Sequence, residues 1–277
     1  MESPTVYPTR LTKSLDEPPY ALPQNGDAIS FLGLLSEFIG SVVTASADIA
    51  VSAGFNRLLV QLVALGGVAG TAQLLFSVER VVVPLVYVVV SVAAAHALAS
   101  GWYGFDPVIT IASRLVIARS VYWPHVLLAV LAQTVGWLAG GYLVAIWLTP
   151  ENIAANPTPN PEFKWWVPMY LEALGTAVVT AGQLVAPFAP TRALSYGILV
   201  WPLSVASYPA SGGSFNILRA FTRVVVASTV SKNSEFWTWQ WLVAMIVGPL
   251  IGVTVTTVLV YFSWLAPRIR KQSEKEV

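Results

Sequence analysis

Two polar residues each open a short apolar segment in matching halves of the chain. Asp106 follows the small-residue stretch Ser100-Gly101-Trp102-Tyr103-Gly104, and Asn216 follows Ser211-Gly212-Gly213-Ser214. The segments that start there, 106–117 and 216–228, are too short to cross a hydrocarbon core about 30 Å thick. Both residue types accept hydrogen bonds from the free N–H groups of a helix's first turn. The glycines before them let the backbone turn back without steric cost. The two caps differ in chemistry: an asparagine amide donates as well as accepts, whereas an ionised carboxylate only accepts. Arg219, one turn past Asn216, adds a positive charge, and a charge inside a membrane segment points to function by default because burying it is costly.

Three more polar side chains stand inside apolar runs: Glu37, Glu172 and Gln133. Membrane carboxylates face the bundle interior and are paired there. Nothing around them forms an acid–base pair, so the expectation is a protein that is not an enzyme, with no catalytic residues. The chain has no cysteine and two histidines, His96 and His125. That leaves no thiolate chemistry and no multi-histidine metal site, so neither cofactor nor metal is expected. His96 reads as a packing residue or as a group lining the inner vestibule.

The elements that position these residues follow from the hydropathy pattern. The 277 residues are 56% hydrophobic and 10% charged, against roughly 25% charged in soluble domains. Most of the charge lies in an N-terminal tail (1–30), a central loop (149–164) and a basic C-terminal tail (265–277). Between them, apolar runs long enough to span begin at Phe31, Val81, Pro124, Trp165, Ala193 and Trp237. Open strands cannot face lipid, so these runs are expected as helices. The order is helix, helix, half-helix, helix in 31–148, repeated in 165–264 after the loop. An odd number of spans per half makes the halves inverted, with a midplane site between paired half-helices. The additional apolar run Leu58–Phe76 is either a surface helix or an extension of its neighbours. Lys and Arg are modestly more frequent on the side of the tails, which predicts both termini in the cytoplasm. A net charge of +1 argues against nucleic acid as a partner; the partner expected is the lipid bilayer.

The loop Pro209-Ala210-Ser211-Gly212-Gly213-Ser214-Phe215-Asn216-Ile217-Leu218-Arg219-Ala220-Phe221 resembles the P-x-[ST]-G-x-x-x-N-P-A-R-x-F loop of the aquaporin (major intrinsic protein) family. Ser36-Glu37-Phe38-Ile39-Gly40-Ser41 is similar to that family's first-helix opening. Ala132-Gln133-Thr134-Val135-Gly136 is similar to its third helix, and Val247-Gly248-Pro249-Leu250-Ile251-Gly252 to its sixth. Asp106-Pro107-Val108 and Asn216-Ile217-Leu218 stand where the family has its two N-P-A motifs.

The resemblance implies an all-α membrane protein with six transmembrane helices and two re-entrant half-helices, arranged as an inverted repeat. It implies a passive channel for water or small neutral solutes such as glycerol and urea, assembled as a homotetramer. Selectivity in such channels comes from pore diameter, lining hydrogen-bond groups and electrostatic barriers. By the same resemblance Asp106, Asn216 and Arg219 face the pore, Ser204, Gly213 and either Leu85 or Val86 complete a constriction, and Ile217 and Leu218 sit at its tip. Glu37, Glu172 and Gln133 support the re-entrant loops. The loss of both N-P-A motifs raises an alternative: a non-conducting aquaporin-like subunit of a larger membrane assembly.

Overall fold

The computed structural model describes residues 31–64, 69–97, 105–117, 123–149, 159–185, 189–232 and 235–265. Six long helices and two short ones run through them: α1 (Phe31–Ala64), α2 (Ala69–Ala97), the short α3 (Pro107–Ile117), α4 (Trp123–Ala145), α5 (Trp166–Val185), α6 (Ala189–Ser211), the short α7 (Ile217–Ser231), and a final helix. That last helix starts as α8 (Trp239–Leu242), passes a π-helical turn at Val243–Val247, continues as α9 (Gly248–Val260) and closes on a second π-turn, Tyr261–Leu265. No strand occurs among the described residues.

Four helical stretches have the length and apolarity to cross a bilayer: Phe31–Phe55, Ser77–Ala94, Trp123–Ala145 and Trp239–Ser263. Helices α5 and α6 are long enough but carry polar residues on their buried faces, among them Glu172, Thr176, Thr180 and Gln183 on α5 and Ser204 and Ser207 on α6. The run Leu58–Phe76 is split between its neighbours, since α1 continues to Ala64 and α2 begins at Ala69. With 34 and 29 residues, α1 and α2 are about 51 and 44 Å long, more than a bilayer core requires.

Packing obeys the repeat. The most extensive helix contacts are α1 with α4 and α5 with α9. Each is built on glycines four apart. A Cβ at Gly136 or Gly140 of α4 would run into the α1 backbone at Phe38 and Val42. One at Gly248 or Gly252 of α9 would run into α5 at Met169 and Ala173. Small residues at this spacing let membrane helices approach closely, where dispersion replaces the absent hydrophobic drive. Outward faces are apolar, and Trp165, Trp166, Trp237 and Trp239 lie exposed near helix ends, where indole rings favour the membrane interface. Trp241 differs: it is buried and stacks edge-on against Trp237.

Candidate functional site

The two half-helices start in the same way. Phe105 and Phe215 precede the caps with φ of 60° and 49°, a left-handed conformation that non-glycine residues rarely adopt. Each ring is buried against a glycine of a repeat-related helix, Phe105 over Gly40 and Phe215 over Gly175, where any Cβ would overlap the ring. The spacing Glu37-x-x-Gly40 on α1 recurs as Glu172-x-x-Gly175 on α5. In the second repeat a carboxylate and a ring seat, one turn apart, fix the turn-back together; in the first, Gly40 seats the Phe105 ring.

Glu172 is the anchor of the second loop. Its Oε1 accepts from the Ser214 backbone N–H at 3.0 Å and from the Ser211 hydroxyl, and its Oε2 accepts from the Phe215 N–H at 2.7 Å. Glu37 accepts from Gln133 Nε2 at 2.8 Å; the same amide reaches Thr110 Oγ1 at 3.0 Å, and Thr110 donates to the Asp106 carbonyl. Residues 101–104 and the His96 side chain lie outside the described residues.

Asn216 caps α7, its Oδ1 accepting from the N–H groups of Leu218 (2.9 Å) and Arg219 (3.3 Å). Its Nδ2 donates across the repeat to the Phe105 carbonyl at 3.3 Å, so the two half-helix tips touch at the centre. Trp137 Nε1 donates to the same carbonyl at 2.9 Å. Asp106 caps α3 through Oδ1, with Val108 N–H at 2.9 Å and Ile109 N–H at 3.5 Å. Its Oδ2 is buried and meets no hydrogen-bond partner among the described residues.

Arg219 is fully buried and tied on three sides. Its Nη1 donates to the Gly213 carbonyl at 2.9 Å, and Nε and Nη2 both donate to Asp48 Oδ1, at 3.1 and 2.8 Å. Its guanidinium carbon stands 4.1 Å from the centre of the Tyr87 ring, a cation–π stack. Arg223, one turn on, donates to Asp48 Oδ2 and Oδ1 at 2.8 Å and to Ser52 Oγ at 3.2 Å. Asp48 is the residue that sequence reasoning missed. Its signal was there: Glu37, Ser41, Thr44, Asp48 and Ser52 are all buried and recur at helical spacing along one face of α1.

The expected constriction residues fare unequally. Ser204 and Gly213 do meet: Ser204 Oγ donates to the Gly213 carbonyl at 2.7 Å, and Gly213 adopts φ 57° against the α6 backbone. Leu85 does not join them. It belongs to the exposed stripe Val78, Val81, Leu85, Val89, about 200° around α2 from Tyr87. Tyr87 is the α2 side chain at Arg219, which corrects the assignment of Leu85. Ile217 and Leu218 also part company. Leu218 joins the central cluster with Tyr87, Val88, Tyr196 and Val200, whereas Ile217 packs with Val108, Ala112 and Val253 between α3 and α9. Successive helical residues point about 100° apart, so Leu218 turns toward α2 and α6 while Ile217, the first residue of α7, turns toward α3 and α9.

A profile of the major intrinsic proteins matches residues 28–261. The chain belongs to that family. Among solved structures, this major intrinsic protein is similar to the aquaglyceroporin from Plasmodium falciparum, with 14% identity and a TM-score of 0.64 over 86% of this chain and 98% of that one. At that identity the likeness establishes the fold alone: an inverted repeat with paired half-helices. No curated relative matches the sequence. As a major intrinsic protein with long apolar helices, it is an integral membrane protein.

Proposed function

We propose that this major intrinsic protein is a passive transmembrane channel for water and small neutral solutes, and that Asn216, Arg219, Asp106, Ser204 and Gly213 border its path. The observation that carries the reading is the junction of the half-helix tips, where Asn216 Nδ2 reaches the Phe105 carbonyl. Two helix N-termini meeting at a midplane concentrate positive dipole ends there and oppose cations, while amide and carbonyl groups serve neutral hydrogen-bonding solutes. The likeness to an aquaglyceroporin supports solutes of glycerol size as well as water. Homotetrameric assembly with cytoplasmic termini fits the family and the distribution of basic residues.

One observation favours the second reading, a non-conducting subunit of a membrane assembly. Asp106, Asn216, Arg219 and Ser204 are 0–1% exposed, so this conformation leaves no water-wide opening beside them. Stopped-flow swelling of proteoliposomes separates the two readings. A channel accelerates shrinkage or swelling in osmotic, glycerol or urea gradients above protein-free vesicles. Rates equal to those of empty vesicles for all three overturn the channel and leave the structural subunit.

A further inference from the structure

Tyr87 on α2 and Tyr196 on α6 stand nearly the same number of residues ahead of their respective caps, Asp106 and Asn216. They are repeat partners, and their hydroxyls are joined by a short hydrogen bond where α2 and α6 meet. Both are buried, at 0% and 3% exposure, and their rings lie edge-on with centroids 6.4 Å apart. Arg219 lies on the face of Tyr87, so the pair adjoins the buried arginine rather than the lipid surface. Val88, Val200 and Leu218 belong to the same buried cluster, as does Trp137, whose ring centroid lies 6.4 Å from that of Tyr87. The two phenol groups therefore form a polar bridge inside an apolar neck between the repeats.

We infer that the Tyr87–Tyr196 pair is the specificity-determining barrier of this protein, closing the path between the two halves; the inference rests on the channel reading. The bridge is a single hydrogen bond between two groups that each donate and accept. A solute carrying both a donor and an acceptor, such as water, urea or a small polyol, can replace that bond as it passes between the rings. A cation finds aliphatic walls, two neutral hydroxyls and the Arg219 guanidinium on the face of Tyr87, none of which replaces its hydration shell. The wall contacts are of another kind: Ser204 ties its own loop at Gly213, and Asp48 ties Arg219 to α1. Neither spans from α2 to α6.

The test uses the full-length protein in proteoliposomes, with water, urea and glycerol fluxes measured by stopped-flow light scattering. Tyr196→Phe keeps the ring and removes the bridge, and should raise water permeability about 2- to 10-fold, the factor that one net hydrogen bond represents. Tyr196→Ala also removes the ring and should admit glycerol at a rate the Phe variant does not reach. If the wild type conducts and both variants match it for all three solutes, the pair is no barrier, while the channel reading stands. If wild type and both variants, eluting as monodisperse helical protein, all match empty vesicles, the channel reading falls and takes the barrier with it. Because Tyr196→Phe is isosteric, the test holds even where Tyr196→Ala fails to fold.

Discussion

Asp48 on α1 and Arg219 on α7, 171 positions apart, share two hydrogen bonds to one carboxylate oxygen, the shorter at 2.8 Å, and both side chains are fully buried. Arg223 completes the cluster from the same carboxylate at 2.8 Å. Inside a membrane bundle this arrangement does two things. It compensates charges that would otherwise be stranded, and it pins the half-helix α7 to the first repeat. On the channel reading it also occupies donors of Arg219 that would otherwise face a passing solute.

Removing Asp48 leaves two buried guanidinium groups without their anion. Breaking a buried pair in this way costs about 3–5 kcal/mol. Asp48→Ala should therefore lower the thermal midpoint in detergent sharply. Adding Arg223→Gln should recover part of that loss, because one of the stranded charges is gone. Equal midpoints for wild type and Asp48→Ala would show that the cluster contributes nothing to the fold.

The ring seats are predicted to be intolerant of a single methyl group. Gly40→Ala and Gly175→Ala place a carbon where the Phe105 and Phe215 rings lie. Overpacking of this kind costs about 1–3 kcal/mol. Gly54→Ala is the control, since a Cβ there meets nothing within 4 Å. Denaturant titration should leave Gly54→Ala at or above wild type, for alanine is the better helix former by roughly 0.5–1 kcal/mol. If all three variants behave alike, the two glycines are not seats for the rings.

Glu172 accepts from the N–H groups of Ser214 and Phe215, both buried residues. Glu172→Gln substitutes a donor for one accepting oxygen and orphans a buried N–H, at a cost of about 1–3 kcal/mol. Hydrogen exchange across 208–218 should accelerate in this variant, while exchange in α4 stays as in wild type. Unchanged protection of the loop would show that Glu172 does not anchor it.

Asp106→Asn retains the cap, because the Asn side chain also accepts from Val108 N–H, and caps of the two types are nearly equal in strength. Stability should stay within about 0.5 kcal/mol of wild type. The change removes a carboxylate from the half-helix tip and offers an amide donor in its place. On the channel reading, water flux should rise or any cation leak should fall, measured by light scattering and by a dye assay for ion flux. With neither altered, Asp106 acts as a cap and not in permeation.

Much of this protein follows from its sequence because the controlling physics is local. Long apolar runs must be helices in lipid, and two short ones behind glycine-rich stretches must turn back. Asp106 and Asn216 are caps by residue type alone, and the repeated Glu-x-x-Gly of α1 and α5 is visible at fixed spacing. Even the polar face of α1 that holds Asp48 can be read from helical periodicity. What that face meets cannot. Asp48 finds Arg219 and Arg223, Tyr87 finds Tyr196, and Ile217 parts from Leu218 only when the two repeats are docked. Those pairings depend on how far each helix is rotated and slid against its neighbour. In lipid, that docking is set by close glycine packing between helices and by matching buried charges and hydroxyls, which are properties of surfaces distant in the chain.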